Sequence, residues 1–449
     1  MGARFTTSTG KDVYVFPILQ NIHQSFCSST QGPLLFSNRP LPTFAVECCC
    51  CLIMSSITTS DHVSYEAESL PMLAQINREV RPDDEDQAFW WNCLSETLAS
   101  LLQANQYSND MQLHYLRWFY KWIPQALGPR PIDGKPYYGS WITHDLSPLE
   151  YSLNWKEKSS KQTVRFTIEA VTKQAGTAKD PINQLGAKEF LDAASKDIEG
   201  LDLTRFNQFL EATNIPNDSA EETAAKHPAH FPRSRVWLAF DLEHSGTLMV
   251  KSYFLPHWRA IQSGISANTF ISDTVRACNG PDGSKYDGAL DAIHSYLLSL
   301  QEHPPQIGLL SNDCVAETAE SRLKIYFRSE ADTLNKARSM YNLGGRLKCT
   351  NIDASLEGIS DIWHHLFRLD RSDPGSADKV CLGEHKCIFV YEMRPTQDNT
   401  PNIDVKFHIP MWQLAKTDNE LSELMASWFA SRGHADFAAR YKSDLNKAL

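Results

Sequence analysis

Four short segments of this chain carry cations on one strand face, and three of them set an aromatic or imidazole ring two residues on. In SRLKIYFR (residues 321–328), Arg322, Lys324 and Tyr326 alternate with Leu323, Ile325 and Phe327. VKSYF (250–254) offers Lys251 and Tyr253, VRFTIE (164–169) offers Arg165, Thr167 and Glu169, and VKFHIP (405–410) offers Lys406 and His408. Successive side chains of a strand point to opposite faces, so each segment has an apolar face and a charged face. A single strand of this kind usually turns its charges to water. Four in one chain suit a closed sheet whose charged faces meet inside. Guanidinium and ammonium groups gathered there would neutralise a diphosphate. Aromatic faces beside them would stabilise a carbocation.

The elements around these segments alternate. The stretch from Asp83 reads as a helix with acids in its first turn, and NDMQLHYLRWFYKW as a second helix ended by GPRP (128–131). Strands are expected at 139–143, 150–155 and 164–171, then at 235–241 and 247–254, 306–311 and 322–328, and 387–393 and 402–409. Helices are expected between these pairs, at 184–197, 202–212, near 257–265, 284–301, 331–342 and 355–369, and after the last one, at 417–430 and 434–447. Neighbouring strands on short connections are antiparallel. Apolar outer faces need helices to cover them. The closed solution is an antiparallel barrel ringed by helices, with polar side chains inside.

Bulk properties narrow the function. A net charge of −11 argues against nucleic acid or an acidic membrane surface as a partner. The eleven cysteines show no zinc-ligand spacing, and the odd count reads as free thiols in a reducing compartment. FAVECCCCLIM (44–54) contains Glu47 and is too short for a membrane span. A cytoplasmic location is expected. Residues 1–75 are rich in Ser, Thr, Pro and Cys and are expected to be a poorly ordered extension. Met54 opens a more ordinary N-terminus, so residues 1–53 read either as a tail or as an artefact upstream of the true start.

In order, FWW (89–91), LGPRP (127–131), THDLSPLEYSLNW (143–155), VRFTIE, AGTAKDPIN (175–183), AFDLEHSGTLMVKSYFLP (239–256), SRLKIYFRS, LGGRL (343–347), VYEMRP and VKFHIP recur at family spacing. With these motifs, residues 83–449 resemble the fungal aromatic prenyltransferases of the dimethylallyltryptophan synthase type. The resemblance implies an α+β fold, the ABBA barrel of ten antiparallel strands, with 76–449 as the catalytic domain. It implies transfer of a dimethylallyl group from its diphosphate to an aromatic acceptor, with no cofactor and no required metal. It matches Arg165, Lys251, Arg322, Lys324 and Lys406 to diphosphate-binding positions, and Tyr253 and Tyr326 to the rings that shield the cation. It matches Glu150 to the acid that hydrogen-bonds the acceptor and takes a proton. A homodimer is left open.

Two departures stand out. His408 occupies a position where the family has a shielding tyrosine. The chain also stops at Leu449 with no counterpart of the family's last strand pair; a C-terminally truncated barrel with an open edge is the expectation, with a gap filled by the N-terminal extension or a defective protein as the alternatives. The strand before RLKIY reads QIGLLSND (306–313), without the arginine that holds free tryptophan's carboxylate in family members. This weighs against a free amino acid as the acceptor. The wording of SWITHDLSPLEYSLNWKEK (140–158) resembles the polyketide users, so a hydroxylated polycyclic polyketide is the expected acceptor, with an indole alkaloid or a cyclic Trp dipeptide as the alternative. DDEDQ (83–87) nearly matches the acidic box of magnesium-dependent prenyl synthases, but Gln87 replaces its last acid and the first turn of a helix explains it better. The rival of another class is an inactive barrel that only binds diphosphate.

Overall fold

The computed structural model describes residues 3–6, 12–16 and 69–448, with breaks at 144, 155–160, 228–232, 280–284, 301–304, 319–320, 349–351, 384–385 and 415. The remainder of the expected 1–75 extension, including the cysteine run and Met54, lies outside the described residues. Ten strands form one ring: β1 (Ala3–Thr6), β2 (Asp12–Phe16), β3 (Leu149–Asn154), β4 (Thr163–Ile168), β5 (Val236–Leu242), β6 (Leu248–Phe254), β7 (Gln306–Asp313), β8 (Leu323–Arg328), β9 (Ile388–Met393) and β10 (Ile403–Pro410). From β3 to β10 every neighbour is antiparallel and consecutive in the chain.

The open edge expected between β3 and β10 is occupied. The hairpin of β1 and β2 lies in the gap, with β1 parallel to β3 and β2 parallel to β10. A hairpin continuing from the C-terminus would have run antiparallel at both seams. This one arrives from the other end of the chain with reversed polarity, so both seams become parallel. Parallel pairing is slightly weaker per residue, but it removes the unpaired edge.

Alternation works as the segments require. Phe166, Ile168, Leu238, Phe240, Phe254, Leu310, Phe327, Phe389, Phe407 and Ile409 all point outward and are wholly buried beneath the helices. Each such side chain contributes about 1.5–3 kcal/mol by leaving water. Among the described residues a first layer of helices covers them, at 85–104, 109–122, 186–194, 204–213, 287–299, 334–341 and 352–367. Helices at 71–79, 217–226 and 267–276 were not anticipated. The acids of DDEDQ serve a helix start: Asp84 caps helix 85–104 by accepting from the Gln87 N–H at 2.9 Å, and Asp86 accepts from the Arg130 N–H. Trp90, Trp91, Trp118 and Trp122 pack as expected; the Trp90 indole donates to the carbonyl of Gly128 at 2.8 Å. Residues 139–143 form a bent loop instead of a strand, because side chains satisfy its backbone: the Trp141 N–H donates to Ser234 Oγ at 2.6 Å.

Removing residues 1–16 should expose both seams. Backbone amides of 149–154 and 403–410 are then expected to exchange with deuterium faster, while those of β6 keep their protection. Unchanged exchange at the seam strands would contradict closure by the hairpin.

Candidate active site

The second strand of each hairpin carries the cations. Arg165 stands on β4, Lys251 on β6, Lys324 on β8 with Arg322 just before it, and Lys406 on β10. The strand that follows or precedes each carries a lone acid amid apolar residues: Asp241 on β5, Asp313 on β7 and Glu392 on β9. In the register Arg165 faces Asp241, Lys251 faces Asp313, and Lys324 faces Glu392. All eight side chains meet inside the barrel in one belt.

Each acid holds two cations. Asp241 accepts from Arg165 at 2.8 Å and from Lys251. Asp313 accepts from Arg322 at 2.6 and 2.9 Å and from Lys324 at 2.5 Å. Glu392 accepts from Lys406, and from Arg322 at 3.4 Å. Burial opposes charge on all three acids, yet the cations beside them win and hold Asp241, Asp313 and Glu392 well below the usual carboxylate range. Burial also lowers Lys324, and with Arg165 beside it brings Lys251 down to about 7. Five cations on three carboxylates leave two positive charges in excess inside an otherwise acidic protein.

Sequence reasoning identified the cations and missed the acids. The signal was present: FDL, SND and YEM each place one acid on the inward parity of an otherwise apolar strand.

Above the belt runs a row of rings. Tyr253 and Tyr326 meet edge to face at 5.7 Å between centroids, and Tyr326 meets the His408 ring at 6.1 Å. His408 therefore takes its expected place beside the two tyrosines. Along β8 the inward face reads Arg322, Lys324, Tyr326, Arg328, with about 7 Å between alternate residues. Charge comes first, rings second, and Arg328 last. Glu150, at the start of β3, belongs to the ring end: its register partner Thr167 lies one step beyond Arg165. Burial pushes its carboxyl up to about 7, against a hydrogen bond from Thr167. Glu169, on the same parity as Arg165, does not join the belt. It accepts from Ser140 and Ser234 at 2.6 and 2.5 Å, and burial raises it.

A family model described as tryptophan dimethylallyltransferase matches residues 86–444. The chain belongs to that family. Prenyltransferase iacE of Pestalotiopsis fici is 72% identical over 398 residues, spanning 88% of this chain and 91% of that protein. The indole diterpene prenyltransferase penD of Penicillium crustosum is 28% identical over 81% of this chain and 86% of its own length. NotF, solved in complex with brevianamide F and DMSPP, superposes with a TM-score of 0.70 at 26% identity, covering 85% of this chain and 90% of that one. AnaPT from Neosartorya fischeri, at 23% identity and a TM-score of 0.70, shares the fold. This member of the tryptophan dimethylallyltransferase family is an aromatic prenyltransferase with the ABBA barrel. No described helix is long and apolar enough to cross a membrane.

The acids give a prediction that simple charge counting reverses. Asp313→Asn adds positive charge, which alone would tighten a diphosphate. It also frees Arg322 and Lys324 from their shared anchor. We expect kcat/KM for the prenyl donor to fall about ten-fold or more in a folded variant. A tighter donor KM with unchanged kcat would show that Asp313 only tempers charge.

Proposed function

We propose that this protein moves a dimethylallyl group from dimethylallyl diphosphate to a carbon of an electron-rich aromatic acceptor, without a metal ion. The observation that carries the reading is the order of chemistry along β8: the cations Arg322 and Lys324, then Tyr326 in its row of rings.

Breaking the allylic C–O bond sends its electron pair to the diphosphate and leaves an allyl cation. Arg165, Lys251, Arg322, Lys324 and Lys406 neutralise the charge that builds on the leaving group. Because the belt already has two positive charges in excess, it can do the work that magnesium does in other prenyl transfers. Its three acids are each engaged with cations and are poor candidates for metal ligands. Tyr253 and Tyr326 shield the cation from water, each stabilising it by about 1–2 kcal/mol when desolvated. His408 flanks Tyr326 edge-on and completes the wall. The acceptor's π electrons form the new C–C bond. The proton on the attacked carbon must then leave, and ionised Glu150 accepts an acceptor N–H or O–H and receives that proton.

For the acceptor we favour a hydroxylated polycyclic polyketide. The inward residues of β7 toward the ring end, Leu309 and Gln306, include no base, and a free amino acid would need one to hold its carboxylate. An indole alkaloid is the second reading, favoured by the similarity to the indole diterpene prenyltransferase penD. A reducing, cytoplasmic setting agrees with the five described free thiols.

Diphosphate release from dimethylallyl diphosphate in excess chelator is the test. Release should depend on an aromatic acceptor, and Arg322→Ala and Lys324→Ala should each lower kcat/KM about ten-fold or more. Kinetics like those of the unaltered protein in both variants would remove these residues from the reaction. Acidity gives a second check. Glu150 acts only when ionised, so at saturating donor, where bound diphosphate keeps Lys251 charged, kcat should rise with pH through about 7, and Glu150→Gln should abolish that limb. A limb that survives the substitution would assign the base elsewhere.

A further inference from the structure

The five belt cations all sit on carboxylates. Arg328 carries the same charge on the same face of β8 and, among the described residues, makes no ion pair. Its guanidinium lies over the Trp141 ring, 3.8 Å from the centroid. Protein packed around the guanidinium lowers it to about 10, with no acid offsetting the cost. The residue nevertheless stays exposed at the end of β8, so the guanidinium is covered on its Trp141 face and open to a ligand elsewhere. Its height also matters. Arg328 is about 7 Å beyond Tyr326 along the strand, on the far side of the ring row from the belt, where the acceptor of the proposed transfer must sit.

The surroundings are built for a flat molecule. The bulge between Ile307 and Leu309 brings Gly308 beside Arg328, and a Cβ there would come within 3.8 Å of Nε. Without that Cβ the side of the guanidinium stays open. Trp141 also meets His257 edge to face at 6.5 Å. Nε2 of His257 is buried without a partner among the described residues, and burial keeps the ring neutral at physiological pH. A cation lacking its anion and an imidazole nitrogen lacking its partner thus border one indole.

We propose that Arg328, held flat by Trp141, binds an oxyanion of a planar aromatic acceptor and so selects phenolate- or carboxylate-bearing rings over unsubstituted ones. Trp141 is a positioning residue: it covers one face of the guanidinium and aims the N–H fork edgewise into the barrel mouth, the geometry for two parallel hydrogen bonds to oxygen. Bound to a phenol oxygen, the fork favours the ionised form and so enriches the ring in electrons before attack.

This inference rests on the prenyl-transfer reading, and one binding experiment separates the two. The full chain is loaded with dimethylallyl thiolodiphosphate, and affinities are measured for 2-naphthol, 2-naphthoate and naphthalene. The unaltered protein should prefer one or both oxygen-bearing probes over naphthalene by about ten-fold or more, the usual effect of a charge-assisted bond. Arg328→Met should erase that preference and leave the donor analogue's affinity unchanged. Arg328→Lys should restore part of it. The phenol and carboxylate arms show which oxyanion the fork serves. Failure of the donor analogue to bind the unaltered protein would sink the transfer reading itself. No preference in the unaltered protein, or one that survives Arg328→Met, would overturn the role of Arg328.

Discussion

Five cations inside one barrel are tolerable only because three carboxylates share them. Removing an ammonium or guanidinium from water costs several kcal/mol even after relaxation, and like charges a few ångströms apart add to that. Asp241, Asp313 and Glu392 offset the cost by bridging pairs of cations on flanking strands. The same bridges fix where each nitrogen points. The belt is therefore a preorganised surface whose geometry is set before any substrate arrives, the arrangement that lets fixed charges stabilise a leaving group without reorganising. An acid on every second strand is as much a part of the design as the cations.

The barrel architecture follows from meeting that constraint. The inward positions of β3–β10 carry the charges and rings and the outward ones are mainly apolar, so the sheet must close and the helices must cover it. Closure by the β1–β2 hairpin satisfies the seam strands with residues from the opposite end of the chain. Along the barrel axis the chemistry is layered: charge at the belt, then the rings of Tyr253, Tyr326 and His408 with Glu150, and beyond them Trp141 and Arg328.

Much of this was legible in the sequence, because period-two alternation is a local property. SRLKIYFR announces its inward face by itself, and the resemblance ties Glu150 to its place. What stayed hidden depends on registration between distant segments. Asp241 reads as one acid in an apolar strand until β4 and β6 are laid on either side of it. Arg328 reads as the polar end of a strand until the loop at 139–143 folds over and sets Trp141 against it. That loop was itself read as a strand, since nothing local shows that Ser234 will satisfy its backbone. Closure from the N-terminus stood only as an alternative to truncation, because short strands in a Ser- and Thr-rich stretch carry little pattern, and their partners are more than a hundred residues away.

The central claim is that the acid-held belt is itself the diphosphate site. Calorimetric titration of dimethylallyl thiolodiphosphate into the chelator-treated protein tests it most directly. The account predicts stoichiometric binding without divalent metal, weakened by added salt as a charge-dominated site must be. Binding that appears only when magnesium is restored would contradict it.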